Sequence, residues 1–153
     1  MTLTQPLNNH HKHCDELFAT TEEAAGRRNW TLCAKNFDRF HQEMEAHFST
    51  EEQVLFPAFE SATGITAGPS RMMRFEHTQM RELFEQMAAA LRAQDGDEFA
   101  GVAETLLILM QQHNMKEENM LYPMCDRSLG AHPPDVEGSL RKRLQEVEQT
   151  CPV

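Results

Sequence analysis

Residues 11–57 lie over residues 77–123 at one constant offset of 66 without a gap, which sets His11 on His77, His47 on His113 and Glu51 on Glu117. Imidazole nitrogen and carboxylate oxygen are donors to a first-row transition metal, and here they recur in matched sets. His47 and Glu51, like His113 and Glu117, are four residues apart. On a helix that spacing advances one turn and leaves both side chains on one face, about 6 Å apart at Cβ, so each His-x-x-x-Glu offers a nitrogen and an oxygen to one cation. A single such pair is ordinarily a surface ion pair. Two of them, each continuing an apolar stripe and accompanied by matched His11 and His77, point to metal. Each ion would take two histidines, and Glu51 and Glu117, with two oxygens each, are able to bridge a pair of ions. Spacing alone leaves iron, manganese and zinc open.

The elements that must carry these residues follow from apolar period and breakers. Helices are expected over about Leu7–Ala25, from an Asn29 cap to about Ser61, over Ser70–Ala93, and over Asp97–Arg127, with Gly26, Gly68-Pro69, Asp95-Gly96 and Gly130 with Pro133-Pro134 as boundaries. Short connections between long helices favour an all-α, up-down-up-down four-helix bundle. The bundle is placed at residues 1–130 and a C-terminal extension at 131–153, with a short amphipathic segment over Val136–Val147. The expected core stripes are Leu7, His11, Cys14 and Phe18; Phe37, Phe40, Met44, His47, Glu51, Val54 and Ala58; Met73, His77, Met80, Phe84, Met87 and Leu91; and Leu106, Met110, His113, Glu117, Met120 and Met124. Unpaired carboxylates in such stripes would be costly.

The offset also separates ligands from bystanders. His41 and Glu45 form another His-x-x-x-Glu, but Leu107 and Gln111 stand at the matching positions, so His41 reads as an interior or supporting group. His10 and His13 match Glu76 and Gln79, and His132 lies beside a proline in a loop. Glu52 and Glu118 read as helix-surface acids, with acceptance of the second N–H of a metal-bound histidine as the alternative, Phe56-Pro57 and Tyr122-Pro123 as helix-end packing at a bend, and the ten methionines as core filler.

A chain of 153 residues suits one domain with a real core. Its net charge of -10 opposes nucleic-acid and acidic-membrane partners. No apolar run is long enough to span a bilayer, and MTLTQPLNNHHKH has no signal-like apolar region, so a cytoplasmic location is expected. Cys14, Cys33, Cys125 and Cys151 form no Cys-x-x-Cys and read as reduced thiols.

The motifs His47-Phe48-Ser49-Thr50-Glu51-Glu52 with Leu55-Phe56-Pro57, and His113-Asn114-Met115-Lys116-Glu117-Glu118 with Leu121-Tyr122-Pro123, together with His11-Lys12 and Glu76-His77, resemble the hemerythrin-like, or HHE cation-binding, domain over about residues 7–127. The resemblance implies two iron ions in a non-haem di-iron centre, held by His11, His47, Glu51, His77, His113 and Glu117, with the two glutamates bridging and an oxo or hydroxo group between the ions. Oxygen-carrying hemerythrins have a further histidine one turn before the third-helix ligand and an aspartate five residues after the fourth-helix histidine, whereas Met73 and Glu118 stand there in this sequence. The pattern is closer to the four-His, two-Glu centres associated with iron-centre repair and with iron or oxygen sensing. The repair proteins carry an additional amino-terminal cysteine-containing domain that finds no match in this sequence. The expected function is a non-enzymatic di-iron protein that binds O2 or NO or senses iron or redox state. The alternatives are a di-iron enzyme acting on peroxide or NO or repairing iron–sulfur centres, and an iron-handling module. Protein partners and oligomeric state are left open.

Overall fold

The computed structural model describes residues 2–130 and 134–150. Its elements are α1 (Gln5–Gly26), α2 (Trp30–Thr50), a π-helical turn (Glu51–Leu55), α3 (Phe56–Thr63), α4 (Pro69–Arg92), α5 (Gly96–Lys116), a second π-helical turn (Glu117–Leu121), α6 (Tyr122–Ser128) and α7 (Pro134–Thr150). The described residues are all-helical. Helix α1 packs against α2 and α5, and α4 against α5 and α2, so the long helices enclose one interior.

The two hairpins repeat down to their turns. Arg28 and Gln94, again 66 apart, both adopt the left-handed conformation that reverses the chain, with φ of 56° and 52°. The residues that follow cap the next helices. The Asn29 side chain accepts from the Leu32 N–H and the Asp95 side chain from the Glu98 N–H, each satisfying a donor in the first turn that has no partner within the helix. At the other end of α1, the Thr4 N–H and hydroxyl both donate to Asp126 on α6, at 3.1 and 3.0 Å.

The interior has an apolar layer on each side of a polar one. One layer contains Cys14, Phe18, Phe40, Met44, Met80, Phe84 and Met110, and the other Leu7, Leu55, Phe56, Phe59, Met73, Leu121 and Cys125. His11, His47, Glu51, His77, His113 and Glu117 are buried in the polar layer between them. Helix α7 closes the second apolar layer with Leu140 and Leu144 while lying on α2 and α1. The amphipathic segment at Val136–Val147 is therefore part of a packed helix. His132, Pro133 and Cys151 lie outside the described residues.

Two expected stripes are corrected below the polar layer. After Glu51 the buried residues are Leu55, Phe56 and Phe59, with Val54 and Ala58 only half-buried; after Glu117 they are Leu121, Tyr122 and Cys125, while Met120 is 60% exposed. The π-helical turns are the cause. Phe56 N–H bonds to Glu51 O and Tyr122 N–H to Glu117 O, five residues back, so each turn holds one extra residue and rotates the following face by one position. Proline follows in both copies, and Pro57 has no N–H to give back to the preceding turn. The Glu52 carbonyl in that turn accepts from Arg74 Nη1 at 3.2 Å. Met72 and Met115 are also exposed, so methionine is core filler at Met44, Met73, Met80, Met87 and Met110 but not throughout.

Candidate metal centre

Each two-fold half contributes one histidine from its first helix and a His-x-x-x-Glu from its second. Donor atoms of Glu51, His77, His113 and Glu117 lie within 4.8 Å of one another, and so do donor atoms of His11, His47 and Glu117. All are buried. Glu51 reaches both groups, with Oε1 3.1 Å from His77 Nε2 and Oε2 3.7 Å from His47 Nε2. Glu117 does likewise, since its Oε1 is 3.1 Å from His11 Nε2 and 3.3 Å from His113 Nε2. Both carboxylates thus stand between the two sets of imidazoles.

Among the described residues, Glu51 Oε1, His77 Nε2, His113 Nε2 and Glu117 Oε2 are buried without a hydrogen-bond partner. Some of them approach one another to ion-pair distance, yet the angles are wrong for an N–H···O bond. Native proteins rarely leave such atoms unsatisfied unless water or an ion serves them, and here the unsatisfied atoms converge. A cation among them fits the donor set.

Outer partners fix the rings. His11 Nδ1 donates to Glu118 at 2.6 Å and His77 Nδ1 to Glu52 at 2.7 Å, a pair of bonds exchanged by the same offset of 66. Glu52 and Glu118 are therefore not merely surface acids; they orient the rings so that Nε2 faces inward, the usual job of a carboxylate behind a ligating histidine. Arg81 holds Glu52 through two bonds at 2.9 and 3.0 Å and also binds Glu45. Glu45 is thus taken up by Arg81, and His41 sits against Phe37 and Phe84, outside the centre.

The remaining two rings are supported differently. His113 Nδ1 donates to Glu76 at 2.9 Å, and Lys116 pairs with the same carboxylate. The position equivalent to Glu76 is His10, which does the corresponding job with an imidazole: its Nδ1 is 2.9 Å from His47 Nδ1 and its Nε2 3.2 Å from the fully buried Glu43. Glu43 accepts from His10 Nε2–H, which leaves His10 Nδ1 to accept the hydrogen bond from His47 Nδ1–H. His47 Nε2 is thereby left with its lone pair facing the centre. His13 also donates to Glu43, at 2.8 Å.

Electrostatics follow from these partners. Burial opposes charge on His11, but hydrogen bonds to Glu117 and Glu118 win and raise it to about 9. Burial opposes charge on His113 too, but the charge of Glu117 close to its Nε2 and the hydrogen bond from Nδ1 to Glu76 outweigh it and raise it to about 10. His47, buried and facing His11 and His10 rather than an outer carboxylate, falls well below its ordinary value. Burial and the charge of Glu117 lift Glu51 to about 7, while Glu117 is held low against burial by His113, Glu51 and His11. Of the two carboxyls, Glu51 is the one that holds a proton more readily. Burial raises the Cys33 and Cys125 thiols.

Every sequence-selected candidate thus lies in one layer. Sequence reasoning missed the supporting roles of His10, Glu43 and Glu76, and it missed Tyr122, whose hydroxyl enters the layer itself, 2.7 Å from Glu51 Oε2. The signal for Glu76 and His10 was present, since both immediately precede a candidate ligand at the same offset. No α-helical period could place Tyr122, which reaches inward only through the π-helical turn.

The chain is similar to two iron–sulfur cluster repair proteins. It is 32% identical over 111 residues to "Iron-sulfur cluster repair protein YtfE" of Edwardsiella ictaluri (strain 93-146), covering 63% of this chain and 47% of that protein. It is 42% identical over 53 residues to the protein of the same name from Citrobacter koseri (strain ATCC BAA-895 / CDC 4225-83 / SGSC4696), covering 34% of this chain and 24% of that one. The chain thus spans less than half the length of these relatives. No solved structure matches it significantly. The Hemerythrin HHE cation binding domain matches residues 2–125, which include all six inward-facing histidines and glutamates, and the chain belongs to that family.

Proposed function

We propose that the protein is a non-haem di-iron protein built on an up-down-up-down four-helix bundle, with His11, His47, Glu51, His77, His113 and Glu117 holding the two irons and Glu51 and Glu117 shared between them. The observation that carries this reading is the pair of donor groups that have Glu117 in common and include buried atoms with no hydrogen-bond partner. Iron, when bound, supplies a redox-active Lewis acid for a small diatomic ligand such as O2 or NO, or for peroxide. The chain's own residues orient the imidazoles through Glu52, Glu118, Glu76 and His10 and exclude water with an apolar layer on either side. Binding of O2 or NO would use this enclosed site directly, and sensing of iron or redox state would begin at the same site.

A second reading is favoured by the relatives: repair of iron–sulfur clusters, the role printed in the names of both matched proteins, which this chain would perform by giving up iron from its centre. As those alignments cover less than half of either relative, this activity is a proposal for the present chain. Anaerobic stopped-flow spectroscopy of iron-loaded protein with O2, H2O2 and NO separates the readings. A reversible adduct supports carriage or sensing, repeated turnover supports an enzyme, and loss of iron to an apo iron–sulfur protein supports repair. A chain that retains no iron after reconstitution would refute the di-iron assignment underlying all of them.

A further inference from the structure

Tyr122 breaks the two-fold symmetry of the centre. It is the chain's single tyrosine, it is 1% exposed, and the position 66 residues earlier is Phe56. Its hydroxyl donates to Glu51 Oε2 at 2.7 Å and lies 3.1 Å from Glu117 Oε1 and 3.3 Å from both His11 Nε2 and His47 Nε2. Adjacent donor atoms on one octahedral ion with bonds of roughly 2.1 Å stand about 3.0 Å apart. The phenolic oxygen therefore sits at ligand-to-ligand spacing from all three members of the His11, His47 and Glu117 group. With one proton to give, the hydroxyl makes its shorter hydrogen bond to Glu51, and the oxygen retains lone pairs with which to bond a cation.

Among the described residues the opposite half offers no such oxygen. Phe56 occupies the equivalent place beside His77, with ring centroids 5.8 Å apart, and Phe48 stacks on His77 at 4.0 Å. The rings that stand beside His77 on that side are hydrocarbon.

Resting on the di-iron reading above, we propose that Tyr122 is a further metal ligand, its oxygen bonding the ion held by His11, His47 and Glu117, and that exogenous ligands exchange at the ion held by His77 and His113. Formation of the O–Fe bond breaks the phenolic O–H; the proton leaves to solvent, the oxygen keeps the electron pair, and no oxidation state changes. Burial and the charges of Glu117 and Glu51 hold the hydroxyl protonated without a cation, and a bound cation inverts that local field.

Because the chain has one tyrosine, ring-deuterated tyrosine labels this residue alone. Resonance Raman spectra of ferric, iron-loaded protein should show enhanced tyrosinate ring modes that shift on deuteration, together with a visible phenolate-to-iron absorption band. Tyr122→Phe should lose the band and retain iron. Azide added to the wild type should introduce its own absorption and leave the tyrosinate modes in place. Ferric protein with two irons per chain and no deuterium-sensitive tyrosine modes would overturn this inference alone, whereas protein that binds no iron would overturn the di-iron reading as well. Displacement of the tyrosinate modes by azide would overturn the assignment of exchange to the His77 and His113 side. Should Tyr122→Phe fail to fold, the labelled wild type decides the matter by itself.

Discussion

Removing the metal should turn the centre into a store of protons whose contribution to stability fades as pH rises from 7 to 10. His11 and His113 each have a carboxylate at both ring nitrogens, which raises them from 6.5 to about 9 and about 10. A histidine with a folded-state pKa above its unfolded value contributes stability that is fully present below 6.5 and lost as pH rises through the folded value. Glu51, raised to about 7, acts in the same sense but has lost most of its contribution by neutrality. At about 1.4 kcal/mol per tenfold change the two histidines are nominally worth roughly 3 and 5 kcal/mol. Both draw on the one Glu117 carboxylate, so the contributions overlap, and a combined loss of about 3 kcal/mol is expected. For a domain of this size that lowers Tm by about 6–12 °C. Calorimetry of chelator-treated protein at several pH values measures it. Buried Cys33 and Cys125, being raised, lose stability in the same direction above pH ~8.5. The discriminating comparison is consequently the His11→Gln/His113→Gln variant, whose decline should be less than half that of the wild type. A flat Tm from pH 7 to 10, or an equal decline in the double variant, would refute the reasoning.

Glu51→Ala and Glu117→Ala should abolish tight iron binding, while Glu52→Ala and Glu118→Ala, which only release a ring orientation, should weaken it by about 10–100-fold; iron-to-protein ratios in a competing chelator rank the four. Leu121→Ala should lower stability by about 2–5 kcal/mol and Met120→Lys by less than about 0.5 kcal/mol, so urea unfolding giving the opposite order would contradict the register set by the π-helical turn. Iron should raise Tm because it binds the native state preferentially, and His41→Ala should leave that increment intact, as scanning calorimetry with and without iron would show.

Much of the site was legible because duplication supplies an internal comparison. His41-Glu45 and His47-Glu51 are indistinguishable by spacing, and only the absence of a second copy set the former aside; the structure finds His41 between two phenylalanines. Helix caps were legible too, since Asn29 and Asp95 act through local side-chain oxygens. The stripes failed beyond Glu51 and Glu117 because a constant helical period carries no information about an inserted residue, so Met120 was read as core in place of Leu121. The roles of Glu52, Glu118 and Glu43 could not be assigned for another reason. Each acts on a ring from a different helix, and such cross-helix pairing has no spacing to read.

Single-crystal diffraction from iron-loaded protein, with anomalous differences recorded on both sides of the iron absorption edge, tests the central claim most directly. Two iron peaks should appear in each chain, one against His11, His47 and Glu117 and the other against His77, His113 and Glu117, with Glu51 reaching both. One peak per chain, or iron bound through His41 in place of His47, would contradict it.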